Sequence, residues 1–404
     1  MSLKIGLVTG EYPPMEGGVG AFTRELAQAM AAQDHEIHVI TNRKARPSSD
    51  DRRWWLLNDP IEVEYGYLHP RMRRWWWPDM STIADLVVRH DLDVINVQYQ
   101  AAAFDMHIPA INFLPWRLRE VCKTAVTFHD LRVPYLFPKA GRLRQWVVRQ
   151  MARLAEGVIV TNRADQEALV AAGLSPQEIC RIPIGSNITT RIPEAAEIAA
   201  VRQSLTLEPD DLLLGYFGFL NESKGADTLI NAVAKLDDHI RDQRIHLIFT
   251  GGQTGSSDPD NNAAFLARLE RLVAGLGLAE RVHWSGFLPD KEVSTYLHAA
   301  DLIVMPYKDG VSLRRGTLMA ALAHGRPIIT TEPAVPIPEL CHGENIWYVP
   351  VEDASSLAAA IAHLAQNRSL AAQLGSGAAA AADLFTWDKI AKQTADYLAS
   401  LKEG

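Results

Sequence analysis

The 404-residue chain is long enough for two or three domains, and 48% hydrophobic with 22% charged residues is ordinary for a folded globular protein. A net charge of −8 and the lack of a recognised module argue against nucleic acid as a partner. The sequence contains no run of 18 apolar residues, so no membrane-spanning helix is predicted. The first predicted strand begins too near Met1 for a signal peptide. Three scattered cysteines predict no disulfide framework. We therefore expect a cytoplasmic protein.

Short apolar runs alternate with helix-length amphipathic segments through the first half of the chain. The predicted strands are 4–9, 36–41, 61–65, 94–98, 124–128 and 157–161, with helices such as 19–33 and 142–155 between them. This alternation is typical of a parallel sheet with crossover helices. It predicts a first doubly wound domain over residues 1–187.

A second series of apolar runs predicts another domain of the same kind over residues 188–384. Its strands are expected at 212–217, 245–250, 282–285, 302–305, 327–331 and 346–349. The polar segment 189–200 lacks a strand and is interpreted as the linker. In such domains ligands bind at the carboxyl ends of the strands. Residues 387–401 predict a final amphipathic helix.

A glycine-rich loop, 10–20, joins the first predicted strand to the first helix. Gly17, Gly18 and Gly20 allow close backbone approach, and the helix N-terminus offers N–H groups to an anion. A nicotinamide site is not favoured, because Thr23 replaces the third glycine of that motif and no acidic residue ends the second strand. The loop indicates a phosphate site of another kind, or else a flexible loop.

Two loops of the second half carry cations beside glycines. Residues 218–225 follow a strand, and Lys224 can supply a point charge to phosphate. Residues 309–317 place Arg314 and Arg315 at a helix start, where guanidinium groups and the helix dipole suit a diphosphate. The alternatives are a solvated lysine and a salt-bridged surface arginine pair.

Taken together, these segments resemble the retaining family-4 glycosyltransferases along nearly the whole chain. The matching segments are Gly17-Gly18-Val19-Gly20, Thr127-Phe128-His129-Asp130, Ile182-Pro183-Ile184-Gly185, 218–225, Thr250-Gly251-Gly252, Gly286-Phe287-Leu288, Ala300-Asp301-Leu302, 321–327, Pro338-Glu339-Leu340 and Gly343-Glu344-Asn345. Each segment is short, and it is their order and spacing together that make the resemblance specific.

The resemblance implies a GT-B fold of two Rossmann-like doubly wound domains facing a central cleft. The donor would bind mainly to the second domain and the acceptor to the first, with the tail helix, 385–404, packing back on the first. The implied reaction moves a sugar from a nucleoside-diphosphate sugar to a glycan, lipid-linked or small-molecule hydroxyl, with retention. No cofactor and no metal are implied, since cationic side chains neutralise the leaving diphosphate.

The resemblance also assigns roles to particular residues, with no metal ligand among them. His129 would approach the donor sugar near the reacting centre, with Asp130 as its polar neighbour. The residues expected to hold the donor diphosphate are Gly17, Gly18, Lys224, Arg314, Arg315, Gly316 and Thr317. Those expected near the donor sugar or nucleoside are Ser312, Gly218, Gly252, Phe287, Leu288 and Glu339. Structural alternatives remain for three: a core histidine at 129, a capping carboxylate at 130 and a helix N-terminal charge at 339.

Three positions depart from the family pattern. Phe219 replaces an arginine, and Ser312 and Ala320 stand where two glutamates eight positions apart are usual. We expect Arg314 or Arg315 to replace the lost cation, with Ser312, Gly316 and Thr317 contacting phosphate or sugar. The missing side chains also leave open a catalytically silent GT-B scaffold that binds a sugar nucleotide or a partner protein.

Half of the ten tryptophans lie in two clusters, Trp54-Trp55 and Trp75-Trp76-Trp77. The stretch 117–153 holds nine basic and two acidic residues. Aromatic rings and basic side chains together suit an anionic membrane surface, which predicts transient docking at the inner membrane face. The alternative is that the tryptophans pack within the flank of the first domain.

Overall fold

The computed structural model describes residues 2–15, 17–47, 59–236, 239–240, 243–251 and 259–403. The chain divides into two compact units, 1–184 with 387–404, and 185–386. The change of unit thus falls three residues before the boundary expected from the sequence. Both units are α/β sheets of mainly parallel strands, as predicted.

The first unit is built on an eight-stranded sheet in the order β3-β4-β2-β1-β5-β6-β7-β8, parallel except for the β3–β4 pair. Its strands are β1 (Lys4–Thr9), β2 (Glu36–Asn42), β3 (Ile61–Val63), β4 (Gly66–Met72), β5 (Val94–Tyr99), β6 (Lys123–Phe128), β7 (Gly157–Val160) and β8 (Ile179–Arg181). The helices are α1 (Gly18–Ala31), α2 (Trp77–His90), α3 (Leu114–Leu118), α4 (Leu143–Leu154) and α5 (Arg163–Ala171). The central strands are almost wholly buried, as expected where helices cover both faces of a parallel sheet.

The second unit has a seven-stranded sheet in which β12-β11-β9-β13-β14-β15 run parallel and β10 forms an antiparallel pair with β11. Its strands are β9 (Leu212–Phe217), β10 (His239–Ile240), β11 (Gln243–Thr250), β12 (Val282–Gly286), β13 (Leu302–Met305), β14 (Ile328–Thr331) and β15 (Trp347–Val349). Its helices are α6 (Ala195–Ser204), α7 (Ala226–Lys235), α8 (Pro259–Gly275), α9 (Asp290–Ala299), α10 (Gly316–Ala323), α11 (Ala354–Gln366) and α12 (Arg368–Ala382). The parallel part follows the strand order 3-2-1-4-5-6 of a Rossmann fold.

The last helix, α13 (Trp387–Glu403), belongs to the first unit. Its apolar side, with Ile390 and Leu398, joins the cluster that Phe22 and Leu26 of α1 form with the first sheet. The backbone N–H of Val158 donates to the Tyr397 hydroxyl oxygen at 3.0 Å. Burial of this face explains the amphipathic pattern of the tail.

Some expectations from the sequence were wrong. The polar segment taken for a linker contains the start of α6, because Glu194 and Glu197 build a capping box that starts a helix there. Strand β4 was missed because its buried residues include His69 and Pro70, which break an apolar pattern. Among the described residues, no helix is long and apolar enough to cross a bilayer.

Candidate active site

The strand order of the second unit places two loops side by side at the carboxyl edge of its sheet. Strand β9 pairs with β11 on one side and with β13 on the other. Successive strands are therefore added to one side of β9 up to β12 and to its other side from β13 onward. Ligands of doubly wound domains bind at this switch point. The loop after β9 carries Gly218 and Lys224, and the loop after β13 carries Tyr307 and Arg315.

Gly218 brings these two loops into contact. Its φ of +129° favours glycine, and an added Cβ would lie 2.8 Å from the Thr317 methyl group and 3.6 Å from Lys224 Nζ. The Gly218 N–H donates to the Thr250 carbonyl at 2.9 Å, so its backbone is anchored to β11. Gly218 and Thr317, both predicted site residues, are therefore neighbours of Lys224.

Two cations share the ring of Tyr307. Lys224 Nζ lies 5.9 Å from the ring centroid, and Arg315 Cζ lies 4.6 Å from it. The Tyr307 hydroxyl is hydrogen-bonded to Thr317 Oγ1 at 2.8 Å, which fixes the ring. The aromatic face and the hydroxyl partner thus hold both positive groups in one place.

The charge of this cluster is only partly compensated. Arg315 pairs with Asp309, yet among the described residues no carboxylate lies within ion-pair distance of Lys224 Nζ. Burial, with a contribution from the nearby Arg315 charge, lowers the pKa of Lys224 to about 8. An anionic ligand bound beside this lysine would stabilise its protonated form and raise its pKa again.

The other predicted residues of the second unit lie near this edge with different exposure. Arg314 is exposed, whereas the Arg315 side chain is only 17% exposed. Gly316 begins α10, with Thr317 in its first turn. Ser312 is partly exposed in the preceding loop, where its carbonyl accepts from the Arg315 N–H.

Three further residues, predicted to lie near the nucleoside or sugar, are in loops. Phe287 is 71% exposed directly after β12, and Leu288 beside it is partly buried. Glu339 lies in a turn, so it is not the first-turn charge of a helix, and its carbonyl accepts from Asn345 Nδ2 at 3.1 Å. Gly252 lies outside the described residues.

Two of the positions expected to depart from the family pattern, Phe219 and Ala320, differ in exposure. Phe219 is 38% exposed. Ala320 is fully buried within α10. In the part of the chain that the structure describes, Arg315 is the arginine that shares the Tyr307 ring with Lys224.

In the first unit, a carboxylate occupies the helix N-terminus that the sequence suggested for a phosphate. Glu11 Oε1 accepts from the N–H groups of Val19 at 3.0 Å and Gly20 at 3.3 Å. Burial raises the pKa of Glu11, and these two hydrogen bonds oppose that rise. A side chain at Gly17 would collide with the Glu11 carboxyl group, whereas Gly18 has open space beside it.

His129 follows β6 and is held in one orientation. Its Nε2 is hydrogen-bonded to Gln98 Oε1 at 3.0 Å, and its ring meets Phe22 edge-on at a centroid distance of 4.6 Å. Burial lowers the pKa of His129 to about 3. The imidazole is therefore neutral at pH 7, so it can form hydrogen bonds but carries no positive charge.

Asp130 has structural partners for both carboxylate oxygens. Oδ2 accepts from Gln100 Nε2 at 2.9 Å, and Oδ1 accepts from the Arg132 N–H at 3.1 Å. These bonds tie the loop after β6 to the loop after β5. Asp130 thus shapes the backbone next to His129.

Several residues that build these sites were not identified from the sequence. Glu11 and Tyr307 lie inside loops that directly follow strands, and that position was the available signal. Gln98 and Gln100 gave no signal, because the alternation of β5 does not show which polar side chain faces His129. Each of these four residues contacts a predicted site residue or the backbone beside one.

Two sequence families match the chain. Residues 16–189 match glycosyltransferase family 4, and residues 211–367 match the glycosyl transferases group 1. A D-inositol 3-phosphate glycosyltransferase of Streptomyces bingchenggensis is 30% identical over 63% of this chain, and the match spans 55% of that relative's length. An MMP alpha-(1->4)-mannosyltransferase of Mycolicibacterium hassiacum is 26% identical over 97% of both chains.

Solved structures share the fold over the full length. The HepE protein of Anabaena in complex with UDP aligns with a TM-score of 0.72 and 21% identity, covering 98% of this chain and 100% of that one. Sucrose-phosphate synthase of Thermosynechococcus elongatus aligns with a TM-score of 0.76 and 23% identity, covering 99% of each chain. At this identity the alignments show the fold.

We expect Glu11→Ala to lower the free energy of unfolding by about 1–3 kcal/mol, because two N–H groups of α1 lose their acceptor. Glu11→Gln retains a carbonyl oxygen and should cost less. Thermal unfolding of both variants tests this. Equal melting temperatures for Glu11→Ala and the parent would show that the contact does not hold the loop.

Proposed function

We propose that this chain, which has the GT-B fold and matches two glycosyltransferase families, transfers a sugar from a nucleoside-diphosphate sugar to a hydroxyl group of a glycan, a lipid-linked sugar or a small molecule. Transfer proceeds with retention and without a metal ion. The observation that carries the proposal is the pair of cations, Lys224 and Arg315, at the switch point of the second unit. A diphosphate supplies the negative charge that this pair lacks.

The proposed step exchanges one bond at the anomeric carbon. The bond to the diphosphate oxygen breaks, and a bond to the acceptor oxygen forms on the same face. The electron pair of the broken bond leaves with the diphosphate, whose oxygen takes the acceptor proton. Lys224 and Arg315 stabilise the charge that develops on the leaving group, which lowers the barrier.

Backbone and loop groups complete the donor site in this proposal. The N–H groups of Gly316 and Thr317 at the start of α10 face the diphosphate, and Gly218 allows its close approach. The exposed ring of Phe287, with Leu288, packs against the nucleoside. Ser312 and Glu339 contact the sugar.

His129 of the first unit is proposed to hydrogen-bond the donor sugar. Its Nε2–H donates to Gln98, so Nδ1 is the acceptor of the neutral ring. A neutral acceptor can receive a sugar hydroxyl hydrogen without adding charge to the reacting centre. Gly17 and Gly18, at the start of α1, are likewise proposed to contact the donor phosphates.

A non-catalytic donor-binding protein is the second candidate. It is favoured by Phe219, Ser312 and Ala320, which stand where the resemblance leads us to expect charged side chains. Donor turnover separates the two functions. An enzyme should slowly hydrolyse its donor without acceptor, whereas a binding protein should be stabilised by the donor and release no nucleoside diphosphate.

We expect one of the UDP-, GDP- and ADP-sugars to raise the melting temperature and to be hydrolysed, with UDP-glucose tested first. A ligand at 100 times its Kd adds about 2.7 kcal/mol to stability. Lys224→Ala and Arg315→Ala should each lower kcat/KM for the donor by about 10²-fold, because each removes a cation from the leaving group. Steady-state kinetics measures both.

Arg314→Ala is the matched control, since Arg314 is exposed and adjacent in sequence. Its kcat/KM should stay within about fivefold of the parent, as for a surface charge. An equal loss in Arg314→Ala and Arg315→Ala would contradict the assignment to Arg315. Full activity of both Lys224→Ala and Arg315→Ala would remove the proposed diphosphate site.

Donor affinity should weaken as the pH rises through about 8, the lowered pKa of Lys224. Above this pH the unliganded lysine loses its proton, so binding must take a proton up, at a cost of up to about tenfold in affinity per pH unit. Calorimetry in two buffers of different ionisation enthalpy near pH 8 measures that proton. The Lys224→Arg variant should bind the donor without taking up a proton, because arginine stays charged at this pH. The same proton uptake in this variant as in the parent would contradict the prediction.

We also propose that the first unit docks on an anionic membrane through an aromatic–basic surface. This surface consists of Trp76, Trp77, Trp116, Phe137 and Trp146 with Arg117, Arg119, Arg142 and Arg149. Phe113 links two of its rings, at centroid distances of 5.7 Å to Trp77 and 6.0 Å to Trp146. Arg119 lies over Trp116 at 5.2 Å.

The surface differs in one respect from the one expected from the sequence. Trp75 is only 2% exposed and packs edge-on against Phe104 in the core, so it is not part of the surface. Its positive φ of +57° turns the chain there and leaves Trp76 and Trp77 outside. Trp54 and Trp55 lie outside the described residues.

The protein should sediment with vesicles that contain phosphatidylglycerol at low salt, and less with neutral vesicles or at high salt. Trp77→Ser combined with Trp146→Ser should reduce the bound fraction, because the exposed rings enter the interface. Leu384→Ser removes an equally exposed apolar side chain of the second unit and should not. Identical sedimentation of all three proteins would exclude this surface.

A further inference from the structure

Three histidines of the first unit meet in one cluster that the proposed reaction does not use. His38 lies on β2, His69 on the adjacent β4 and His90 at the end of α2. One ligand atom of each lies within 4.8 Å of the other two. Among the described residues, this is the one group of three or more potential metal ligands so arranged.

We propose that His38, His69 and His90 bind a transition-metal ion, with Zn²⁺ as the first candidate. Three imidazole nitrogens form a common zinc ligand set, in which Zn–N bonds of about 2.1 Å place the nitrogens about 3.4 Å apart in a tetrahedron. His38 Nδ1 and His69 Nε2 are hydrogen-bonded at 3.0 Å, so the ion would replace the proton on His69 Nε2 and move the two nitrogens apart by a few tenths of an ångström. His69 would then carry its proton on Nδ1.

The hydrogen bonds around His38 favour its role as a ligand. Its Nε2–H donates to Glu36 Oε1 at 3.0 Å, which leaves Nδ1 without a proton and directed at His69. Metal-bound histidines usually donate their second N–H to a carboxylate or carbonyl in this way. Glu36 thus fixes the tautomer and ring orientation that coordination needs.

His90 provides a second observation that favours a metal site. Its Nε2 is buried and has no hydrogen-bond partner in the described part of the chain, although the ring lies 4.9 Å from both other rings, centroid to centroid. A buried polar atom without a partner is costly, and a metal bond would satisfy it. His90 is also only partly buried, which leaves a route for the ion.

The charges near the cluster select the kind of ion. The positively charged side chains of Lys4, Arg71 and Arg89 lie near the three histidines. The same positive charges disfavour an ion held by charge alone, such as Mg²⁺ or Ca²⁺. Zn²⁺, Cu²⁺ and Ni²⁺ form strong bonds to imidazole and follow the affinity order of divalent metals.

The position of the cluster indicates a structural role. Glu36 and His38 open β2, and His90 ends the helix that leads into β5, so the cluster lies toward the amino ends of the strands. Ligands of doubly wound domains bind at the opposite edge. A bound ion would connect β2, β4 and α2, and it should raise the melting temperature without taking part in sugar transfer.

The test uses full-length protein, freed of any affinity tag and treated with EDTA. After Zn²⁺ is added and excess removed by gel filtration, we expect one bound equivalent and a higher melting temperature. Co²⁺ as a probe should show the intense visible absorption of a tetrahedral nitrogen site. His69→Gln and His90→Gln should lose both signals, and Glu36→Gln should weaken the metal affinity about 10–100-fold.

His283→Gln is the control, because His283 forms a similar pair with His246 at 3.1 Å without a third histidine beside it in the described chain. It should retain the ion. No Zn²⁺ on the parent protein, or equal uptake by the parent and a folded His90→Gln variant, would overturn the proposal. The Co²⁺ spectrum of the parent decides independently of any variant: absorption typical of an octahedral oxygen site would also overturn it.

Discussion

The placement of two positive groups on one aromatic ring is the constraint on which the proposed chemistry depends. Lys224 and Arg315 repel each other, and burial adds a further cost that is visible in the lowered pKa of Lys224. The Tyr307 ring and the single carboxylate of Asp309 offset part of that cost. Such an arrangement leaves positive charge partly uncompensated, and in the proposed reaction a polyanion would balance that charge where the leaving group becomes more negative.

The sequence was sufficient to predict the architecture but not the partners within it. Alternating apolar runs predicted most strands because each is buried on both faces, whereas β4 escaped because it places His69 in the interior. Lys224 and Arg315 were predicted as site residues because both follow strands and lie next to glycines. Tyr307, which brings them together, and Glu11, which occupies the N-terminus of α1, depend on side-chain directions that periodicity does not encode. The choice of Arg315 over Arg314 required the observed burial.

The two units repeat a histidine arrangement that neither motif nor composition revealed. In the first unit, counting strands from β1 toward β3, His38 lies on the second strand and His69 on the third. In the second unit, counting from β9 toward β12, His246 lies on the second strand and His283 on the third. Ring nitrogens are 3.0 and 3.1 Å apart, and a carboxylate, Glu36 or Asp211, faces the other nitrogen of the first histidine. The third histidine at the end of α2 is the difference in the described chain, so the metal proposal rests on His90.

Each unit also holds one of its own carboxylates at a position suited to an anionic ligand. Glu11 accepts two N–H groups at the start of α1, and Asp309 pairs with Arg315 at the start of α10. These carboxylates keep the donors and the guanidinium ordered, because an unpaired buried cation or amide is costly. A diphosphate would carry more charge than either carboxylate and, in the proposed site, would also contact Lys224, which no described carboxylate pairs with. Exchange of Asp309 for the donor would therefore replace one ion pair by at least two, and this difference would favour the donor over the internal carboxylate.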